Sequence, residues 1–155
     1  MKRIILAFSF SLLFVASSLS QEAQKLNEFI PDDCETVLSK LDSYASNLQD
    51  KTTFKGFIVF YDGAAVRYGK TYQPTPRESK HLIKSFQRYL VNARSISNNR
   101  IEIIDGGFRK ENFVEFWIAS PHSKPPVPTP TLKKLIYKKR KFVKLCATEI
   151  APFVF

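Results

Sequence analysis

Two apolar runs of β-forming residues lie within one short stretch, residues 100–121, which reads RIEIIDGGFRKENFVEFWIASP. The runs at 101–104 and 113–119 are rich in β-branched and aromatic side chains, a composition typical of strands. Asp-Gly-Gly at 105–107 supplies the permissive backbone angles that a turn or a bulge requires. A phosphate-binding loop would lead from its glycines into a helix, whereas these glycines lead into a second strand. We therefore predict a hairpin in which the charged bend is a turn.

Two amphipathic helices are predicted before that hairpin. After Pro31, apolar residues recur at helical spacing through DDCETVLSKLDSYASNLQD, with Asp32 or Asp33 available as the N-cap. A second helix starts at Thr75, where Thr-Pro-x-Glu matches a capping box with proline in the first turn. Its apolar residues repeat at the helical period, so we expect it to run to about Ala93.

The run FKGFIVFY at 54–61 is nearly continuous in apolar residues and too short for an ordinary helix, which indicates a central strand buried on both faces. We expect Asp62 and Gly63 to end it. The predicted order is helix, strand, helix, strand, strand (αβαββ), in which the second helix joins two parallel strands. This order predicts an α/β fold of the α+β type, a two-layer sandwich of two helices packed on a small mixed sheet, with a basic C-terminal segment added.

The chain begins like an exported protein. Residues 1–20 combine a basic start, Lys2 and Arg3, with an apolar run at 4–16 and small residues at the end, as in a secretory signal peptide. The apolar run is shorter than the roughly 20 residues that span a bilayer, and no second such run follows. We expect a periplasmic or extracellular protein with no transmembrane segment in the mature chain. The remaining 155 − 20 = 135 residues suit one domain.

Composition divides the mature chain into three parts. Residues 21–120 form the domain, which opens with a polar, extended lead-in over 21–33. Residues 121–131, PHSKPPVPTPT, hold five of the nine prolines and predict an extended connector that leaves the core. Residues 132–155 form the basic C-terminal segment.

The basic segment carries the strongest charge feature. Two of the 24 basic residues and none of the 14 acidic ones lie in residues 1–20, so the mature net charge is 22 − 14 = +8. This charge favours anionic partners, and for an exported protein an envelope polymer, an anionic glycan or lipid head groups match better than nucleic acid. One interpretation is a patch that binds an anionic surface, and the other is a solvated edge strand whose lysines discourage aggregation. The cluster consists of Lys133, Lys134, Lys138, Lys139, Arg140, Lys141 and Lys144.

The two cysteines, Cys34 and Cys146, lie near opposite ends of the mature chain. In an oxidising compartment an isolated pair is most simply a disulfide, which would tie the basic segment back to the domain. Closing so long a loop stabilises a protein by about 4 to 5 kcal/mol in the chain-entropy treatment. The alternative is two independent thiols.

The motif order resembles that of the OmpA-like, peptidoglycan-associated domain. The shared features are a Tyr-Leu pair at the end of the second helix, a short loop, an Arg-Ile pair that opens a strand, and a glycine-containing turn. They stand here at 89–90, 95–96, 100–101 and 106–107. More closely, the segments LDSYASNLQD, GFIVFYDG, RYLVNARSISNNRIEIIDGGFR and VEFWIASP resemble a family of uncharacterised secreted bacterial proteins, often followed by the same PTPT tail.

This resemblance implies a ligand site. OmpA-like domains bind the diaminopimelate unit of peptidoglycan through an aspartate after the first motif strand and an arginine early in the following helix. Asp62 stands at a position similar to that aspartate. Leu82 occupies the register of the arginine, and Arg77, in the first turn of the helix, can replace it by geometry. The alternative for Arg77 is an ordinary surface arginine.

No catalytic pattern is present in the sequence. His81 and His122 belong to no nucleophile–base or metal-ligand spacing, so we predict two surface histidines. Glu111 and Glu115 alternate with Phe113, a pattern that places charges on the solvent face of a strand. We therefore expect no enzymatic activity, no cofactor and no metal.

The sequence as a whole favours a secreted, non-enzymatic, envelope-associated binding or structural protein. Its expected ligand is peptidoglycan or another anionic envelope polymer. The alternative is an interaction module that docks another envelope protein through the proline-rich connector and the basic segment.

Overall fold

A computed structural model describes residues 22–75 and 78–138 of the chain. The predicted signal peptide, residues 1–20, lies outside them. The strands are β1 (Gln24–Phe29), β2 (Lys55–Arg67), β3 (Lys70–Tyr72), β4 (Ile101–Glu111) and β5 (Phe113–Ala119). The helices are α1 (Cys34–Asp50) and α2 (Glu78–Arg88), with a π-helical turn (Tyr89–Ala93) directly after α2 and a 3-10 turn (Asn98–Arg100) before β4.

The strands form a sheet with β2 at its centre. β5 pairs antiparallel with β2 on one side, and β4 pairs parallel with β2 on the other. β1 lies outside β5, antiparallel to it, and β3 pairs with the far end of β2. The structure confirms a mixed α+β fold, with parallel strands on either side of the second helix in the chain. The observed order is βαββαββ, so the predicted order αβαββ omitted two strands.

β2 is central because it is apolar on both faces. Five consecutive residues, 57–61, are buried. Ile58 and Phe60 belong to the main core, and so do Phe116 and Val114, their partners on β5. Because successive side chains of a strand point to opposite faces, the alternate residues of the run lie on the other side of the sheet. Both faces of β2 must therefore be covered, as the sequence predicted.

The predicted hairpin of residues 100–121 is wrong in its pairing. β4 and β5 are each hydrogen-bonded to β2, which lies between them. The chain passes from β4 to β5 across β2 at Gly63, where Gly63 N donates to Asn112 Oδ1 (2.8 Å) and Asn112 N donates to Ala64 O (2.9 Å). A Cβ on Gly63 would overlap the main chain of Glu111, so this crossing requires glycine. Local composition reveals two strands and a bend, but not the strand with which each one pairs.

The Asp-Gly-Gly segment at 105–107 is a bulge inside β4 and not the predicted turn. Asp105 Oδ1 accepts a hydrogen bond from Gly107 N at 2.8 Å, and Gly107 has a φ of 79°. The register between β2 and β4 shifts beside it, between Phe60 and Asp62. β4 then continues to Glu111, which makes it longer than the strand the sequence predicted.

β2 continues through Asp62 and Gly63, which were expected to end it. Its last residues form a hairpin with β3 across Tyr68 and Gly69, both with positive φ (46° and 75°). The sequence analysis missed β3 because Lys-Thr-Tyr is too short to show an alternation of apolar and polar residues.

β1 replaces the polar lead-in that was predicted over residues 21–33. Its sequence, QKLNEF, contains one buried side chain, Phe29. Pairing with β5 is irregular between Lys25 and Asn27. An edge strand gains most of its stability from main-chain hydrogen bonds on one side, so its composition can stay polar and conceal it.

α1 begins and packs as predicted. Asp33 is the N-cap, and its Oδ1 accepts from Thr36 N at 2.7 Å, a hydrogen bond that lowers the pKa of the Asp33 carboxyl. On the buried face of α1, the Tyr44 ring stacks on Phe116 with 4.5 Å between centroids. α1 is thereby fixed to β5.

α2 and the π-helical turn together reach Ala93, the predicted end of the second helix. Thr75 O accepts from Glu78 N at 3.3 Å at the start of α2, while Pro76 of the predicted capping box lies outside the described residues. Phe86 contacts Phe116 edge-on, with 6.2 Å between ring centroids. Both helices therefore pack against the same side chain of the sheet.

Candidate functional site

Asp62 lies in β2, next to the start of α2 and to the basic segment. The Tyr137 hydroxyl donates to Asp62 Oδ2 at 3.3 Å. Burial raises the pKa of the Asp62 carboxyl, and the negative charges of Asp105 and Glu78 act in the same direction, while the hydroxyl groups of Ser79 and Tyr137 oppose the rise. Asp62 is thus a partly buried carboxylate with hydrogen-bond donors and further acidic residues around it.

Arg77, the predicted partner of Asp62, lies outside the described residues. The residues that follow it, Glu78 and Ser79, are buried in the first turn of α2. α2 contacts β2, and Ser79 in its first turn lowers the pKa of the Asp62 carboxyl, so the start of α2 stands beside β2 at this point. The start of α2 and Asp62 therefore lie close together, whereas the pairing of Asp62 with Arg77 stays a prediction.

The first part of the basic segment presents its cations to solvent. Lys133, Lys134 and Lys138 are exposed. Two exposed apolar side chains stand in the same stretch: Leu132, which precedes the lysines, at 41% exposure, and Ile136, which lies between Lys134 and Lys138, at 75% exposure. Exposed lysines interleaved with exposed apolar side chains are typical of surfaces that bind anionic interfaces. The other cations of the predicted patch lie outside the described residues: Lys139, Arg140, Lys141 and Lys144.

Main-chain contacts hold this part of the segment on the domain. At one end Leu132 N donates to Phe108 O at 3.0 Å, and at the other Lys138 N donates to Pro74 O at 3.4 Å. Within residues 132–138, β pairing is confined to the bridge between Leu132 and Phe108. This described stretch therefore does not form the edge strand that was the alternative interpretation.

A buried carboxylate on β5, Glu115, accepts hydrogen bonds from four side chains. It is 2% exposed. Lys25 Nζ and Arg109 Nη2 lie 3.3 and 3.1 Å from its Oε1. The Tyr61 hydroxyl and Trp117 Nε1 lie 3.2 and 3.0 Å from its Oε2. The prediction that Glu115 faces solvent is wrong, because this side of β5 is covered as well.

Arg109 connects Glu115 to the aromatic side chains around it. Its guanidinium carbon lies 3.6 Å from the centroid of the Tyr61 ring and 4.5 Å from that of Phe113. Its Nη2 also donates to the main-chain and side-chain oxygens of Thr129, at 3.2 and 2.9 Å. Arg109 is thus a cation held by a carboxylate, two rings and the connector.

The proline-rich connector covers this face of the sheet, although it was predicted to leave the core. Thr129 N donates to the Tyr61 hydroxyl at 3.0 Å, and Pro126 is buried. Between Pro126 and Trp117 lies a cavity of about 290 Å³. A polyproline segment makes no internal hydrogen bonds, so its carbonyl groups are free to accept from a side chain such as Arg109. Composition predicted the extended conformation but carried no signal for this docking.

The arrangement around Glu115 is suited to holding the fold together. Its donors come from β1, β2, β4 and β5, and the connector lies over two of them. Both carboxylate oxygens are already satisfied, which leaves little capacity for a ligand. The sequence contained a signal that Glu115 is buried, since it stands inside the run FVEFWIA, which is apolar on both sides.

A second positive surface, which the sequence analysis did not predict, lies along α2. His81, Lys84 and Arg88 succeed one another at helical spacing and line a cleft of about 500 Å³, here called the α2 cleft. None of the described side chains that line it is acidic. The signal was the unbalanced spacing of cations within ESKHLIKSFQR.

One of the two cysteines, Cys34, lies within the described residues. Cys34 is buried at the start of α1, and among residues 22–75 and 78–138 there is no free thiol. Cys146 lies outside those residues. The disulfide between Cys34 and Cys146 therefore stays a prediction.

Three further findings concern the described part of the chain. His81 and His122 are both exposed, as predicted. In residues 22–75 and 78–138, no helix has the length and apolar character to cross a membrane. Over the same two ranges, His, Cys, Asp and Glu side chains form no group of three that could hold a metal ion.

Comparison with protein-family models, with curated proteins and with solved structures finds no match to this chain.

Proposed function

We propose that this protein is a secreted, non-enzymatic module that binds an anionic polymer of the cell envelope through its basic C-terminal segment. The observation that carries this proposal is the exposure of Lys133, Lys134 and Lys138 on a stretch anchored at Phe108 and Pro74. Anchoring reduces the conformational entropy that the segment would lose on binding. A mature net charge of 22 − 14 = +8 also favours binding, because it raises the local concentration of polyanions.

Binding of this kind depends on many weak contacts. A single exposed ion pair contributes about 0 to 1 kcal/mol, so one lysine would not retain a ligand. A polymer that engages several cations at once gains from effective concentration. Exposed charges are screened by salt, so retention should fall steeply as ionic strength rises.

The test is retention of the secreted protein on beads coated with polyglutamate, compared with uncoated beads, in a salt series. We expect retention on the coated beads at low salt and its loss in the variant Lys133→Glu/Lys134→Glu/Lys138→Glu. The matched control reverses three exposed lysines elsewhere, Lys70→Glu/Lys110→Glu/Lys124→Glu, with the same change in net charge. Equal loss in both variants would show that net charge alone acts and would contradict a role for the segment.

A second candidate function is binding of the diaminopimelate unit of peptidoglycan, on an OmpA-like two-layer sandwich. It is supported by the position of Asp62, a partly buried carboxylate in β2 beside the start of α2. In this proposal Asp62 binds the ammonium group of the ligand and Arg77 its carboxylate. The Tyr137 hydroxyl, 3.3 Å from Asp62 Oδ2, must then give way to the ligand.

A soluble muropeptide that contains diaminopimelate tests this second function, with binding followed by calorimetry. Asp62→Asn and Arg77→Gln should each abolish binding, whereas Asp105→Asn, an exposed acidic residue nearby, should retain it. Tyr137→Phe should strengthen binding because it removes the competing hydroxyl. Binding that is unchanged in Asp62→Asn would exclude this site.

The alternative of a module that docks another protein is favoured less by the geometry. The connector uses Pro126 and Thr129 to contact its own sheet, so these residues are engaged within the chain. A protein partner would be left with the exposed side chains of the connector, such as Val127.

A further inference from the structure

The α2 cleft is separate from the basic segment and from Asp62. It lies between α2, the π-helical turn and the 3-10 turn, and its volume of about 500 Å³ falls within the roughly 300–1,000 Å³ range of small-molecule sites. Lys84 and Arg88 supply the charged groups of the lining, next to His81. Asn92 and Asn98 supply amide groups.

Two cations of the α2 cleft, Lys84 and Arg88, are available to a ligand. Lys84 and Arg88 are exposed, and neither forms an ion pair with an Asp or Glu of the described residues. Arg88 Nε donates to Lys84 O at 3.4 Å, which occupies one of the five N–H donors of its guanidinium. A guanidinium with free donors beside an ammonium group is suited to a carboxylate, which it can bind through two parallel hydrogen bonds.

The uncharged part of the lining restricts the ligand further. Gln87 Nε2 donates to Asn98 Oδ1 at 2.8 Å, so two amides are held together at the rim. Asn92 is exposed and adds a donor and an acceptor. Val91 is half-buried and gives the cleft an apolar surface. Amides that bind hydroxyl groups, an apolar surface for a ring and cations for a carboxylate together fit a sugar acid.

We propose that the α2 cleft binds a uronic acid unit of an acidic polysaccharide, with Lys84 and Arg88 on its carboxylate and Asn92 and Asn98 on its hydroxyl groups. The α2 cleft selects one class of ligand, the uronic acids, whereas the charge of the basic segment favours polyanions in general. It acts without the basic segment, so its test does not depend on the function proposed above.

The test is calorimetric titration of the secreted protein with trigalacturonate, with maltotriose as an uncharged trisaccharide and tricarballylate as an anion that lacks sugar rings. We expect binding of trigalacturonate and at least tenfold weaker binding of the other two. Amide NMR shifts should move for residues 84–92 and 98. The variant Lys84→Gln/Arg88→Gln should weaken the affinity for trigalacturonate at least tenfold.

The matched control is Lys80→Gln/Lys110→Gln, which removes the same charge from two exposed lysines outside the cleft and should bind like the wild type. The triple variant of Lys133, Lys134 and Lys138 should also bind like the wild type, which separates this site from the basic segment. Three results would overturn the proposal: no binding of trigalacturonate, equal loss in the control, or equal binding of tricarballylate.

Discussion

Glu115 stabilises the face of the sheet that the connector covers. Its carboxylate accepts from Lys25 and Arg109 on one oxygen and from Tyr61 and Trp117 on the other. A buried charge that is paired and fully hydrogen-bonded is tolerated, whereas the same group with a missing partner is costly. Removal of the Glu115 charge should therefore lower the free energy of unfolding substantially.

The change Glu115→Gln leaves Lys25 and Arg109 without their shared counter-charge. We expect the free energy of unfolding to fall by about 3 kcal/mol, the lower end for loss of one partner of a buried ion pair. The measurement is chemical denaturation of both proteins. The control is Glu102→Gln, whose exposed pair with Lys55 has 4.0 Å between the charged atoms and should contribute at most about 1 kcal/mol. Equal effects of the two substitutions would contradict this role of Glu115.

Asp62 gives a pH-dependent prediction. Burial raises the pKa of its carboxyl in the folded state, so the folded state binds the proton more tightly than the unfolded state does. The stability from this group is present below the ordinary pKa of the unfolded chain and is lost as pH rises through the raised value. Asp62→Asn should therefore increase the free energy of unfolding at neutral pH and have no such effect in acid.

Denaturation curves across the acid range measure this difference. The gain should stay below about 1 kcal/mol, because Asp62 is only partly buried and solvent screens its charge. Glu22→Gln, a change at an exposed carboxylate, serves as the control. A variant that is less stable than the wild type at neutral pH would show that the Asp62 charge contributes to folding.

Single residues differ in how far the sequence predicted them. The N-cap and the buried face of α1 follow from local spacing, and both are confirmed: the cap is Asp33, one of the two predicted aspartates, and Tyr44 lies on the buried face. Glu115 was assigned to solvent because alternation identifies two faces of a strand but not whether both are covered. The second face is covered by Thr129 and Pro126, which belong to the connector beyond the end of β5.

At the level of elements, the docked connector is the feature that the sequence analysis missed most completely. The Tyr61 hydroxyl links it to the sheet, since it accepts from Thr129 N and donates to Glu115. Tyr61→Phe removes both hydrogen bonds and keeps the ring under Arg109. The substitution should therefore loosen the connector while it leaves the helices in place.

Amide hydrogen exchange tests this prediction. In Tyr61→Phe, exchange in residues 126–132 should become at least several-fold faster, whereas α1 should keep the protection of the wild type. Tyr68→Phe, which alters an exposed tyrosine in the turn between β2 and β3, should leave exchange in the connector unchanged. Unchanged exchange in both variants would mean that Tyr61 does not hold the connector.

Long, strongly patterned elements were predicted and short or polar ones were not. α1, α2 and the centre of β2 carry enough apolar residues to show a period. β1 and β3 are short, and their stability comes from pairing with β5 and β2. The crossing at Gly63, which separates β4 from β5, depends on contacts between distant segments that no local pattern records.

At the level of the whole molecule, the predicted disulfide would connect the start of α1 to the basic segment. Intact mass after alkylation, with and without reductant, should show that Cys34 and Cys146 react only after reduction. Reduction should lower the free energy of unfolding by up to about 4 to 5 kcal/mol, the chain-entropy value for a loop of this length. Alkylation of both thiols in the unreduced, denatured protein would exclude the bond.

Binding at the three candidate surfaces of this protein should differ in its dependence on salt and in its discrimination between anions. The basic segment should bind with strong salt dependence, because its lysines are exposed. Asp62 is partly buried, so a site built on it should be screened less. The α2 cleft adds amides and an apolar side chain to its cations and should discriminate between anions.

The most direct test of the account is co-sedimentation of residues 21–155 with purified cell-envelope sacculi as salt is raised. We predict retention at low salt that falls with ionic strength, disappears in Lys133→Glu/Lys134→Glu/Lys138→Glu and persists in Asp62→Asn. Retention that survives high salt and remains in the triple lysine variant would contradict the central claim that the basic segment binds the envelope.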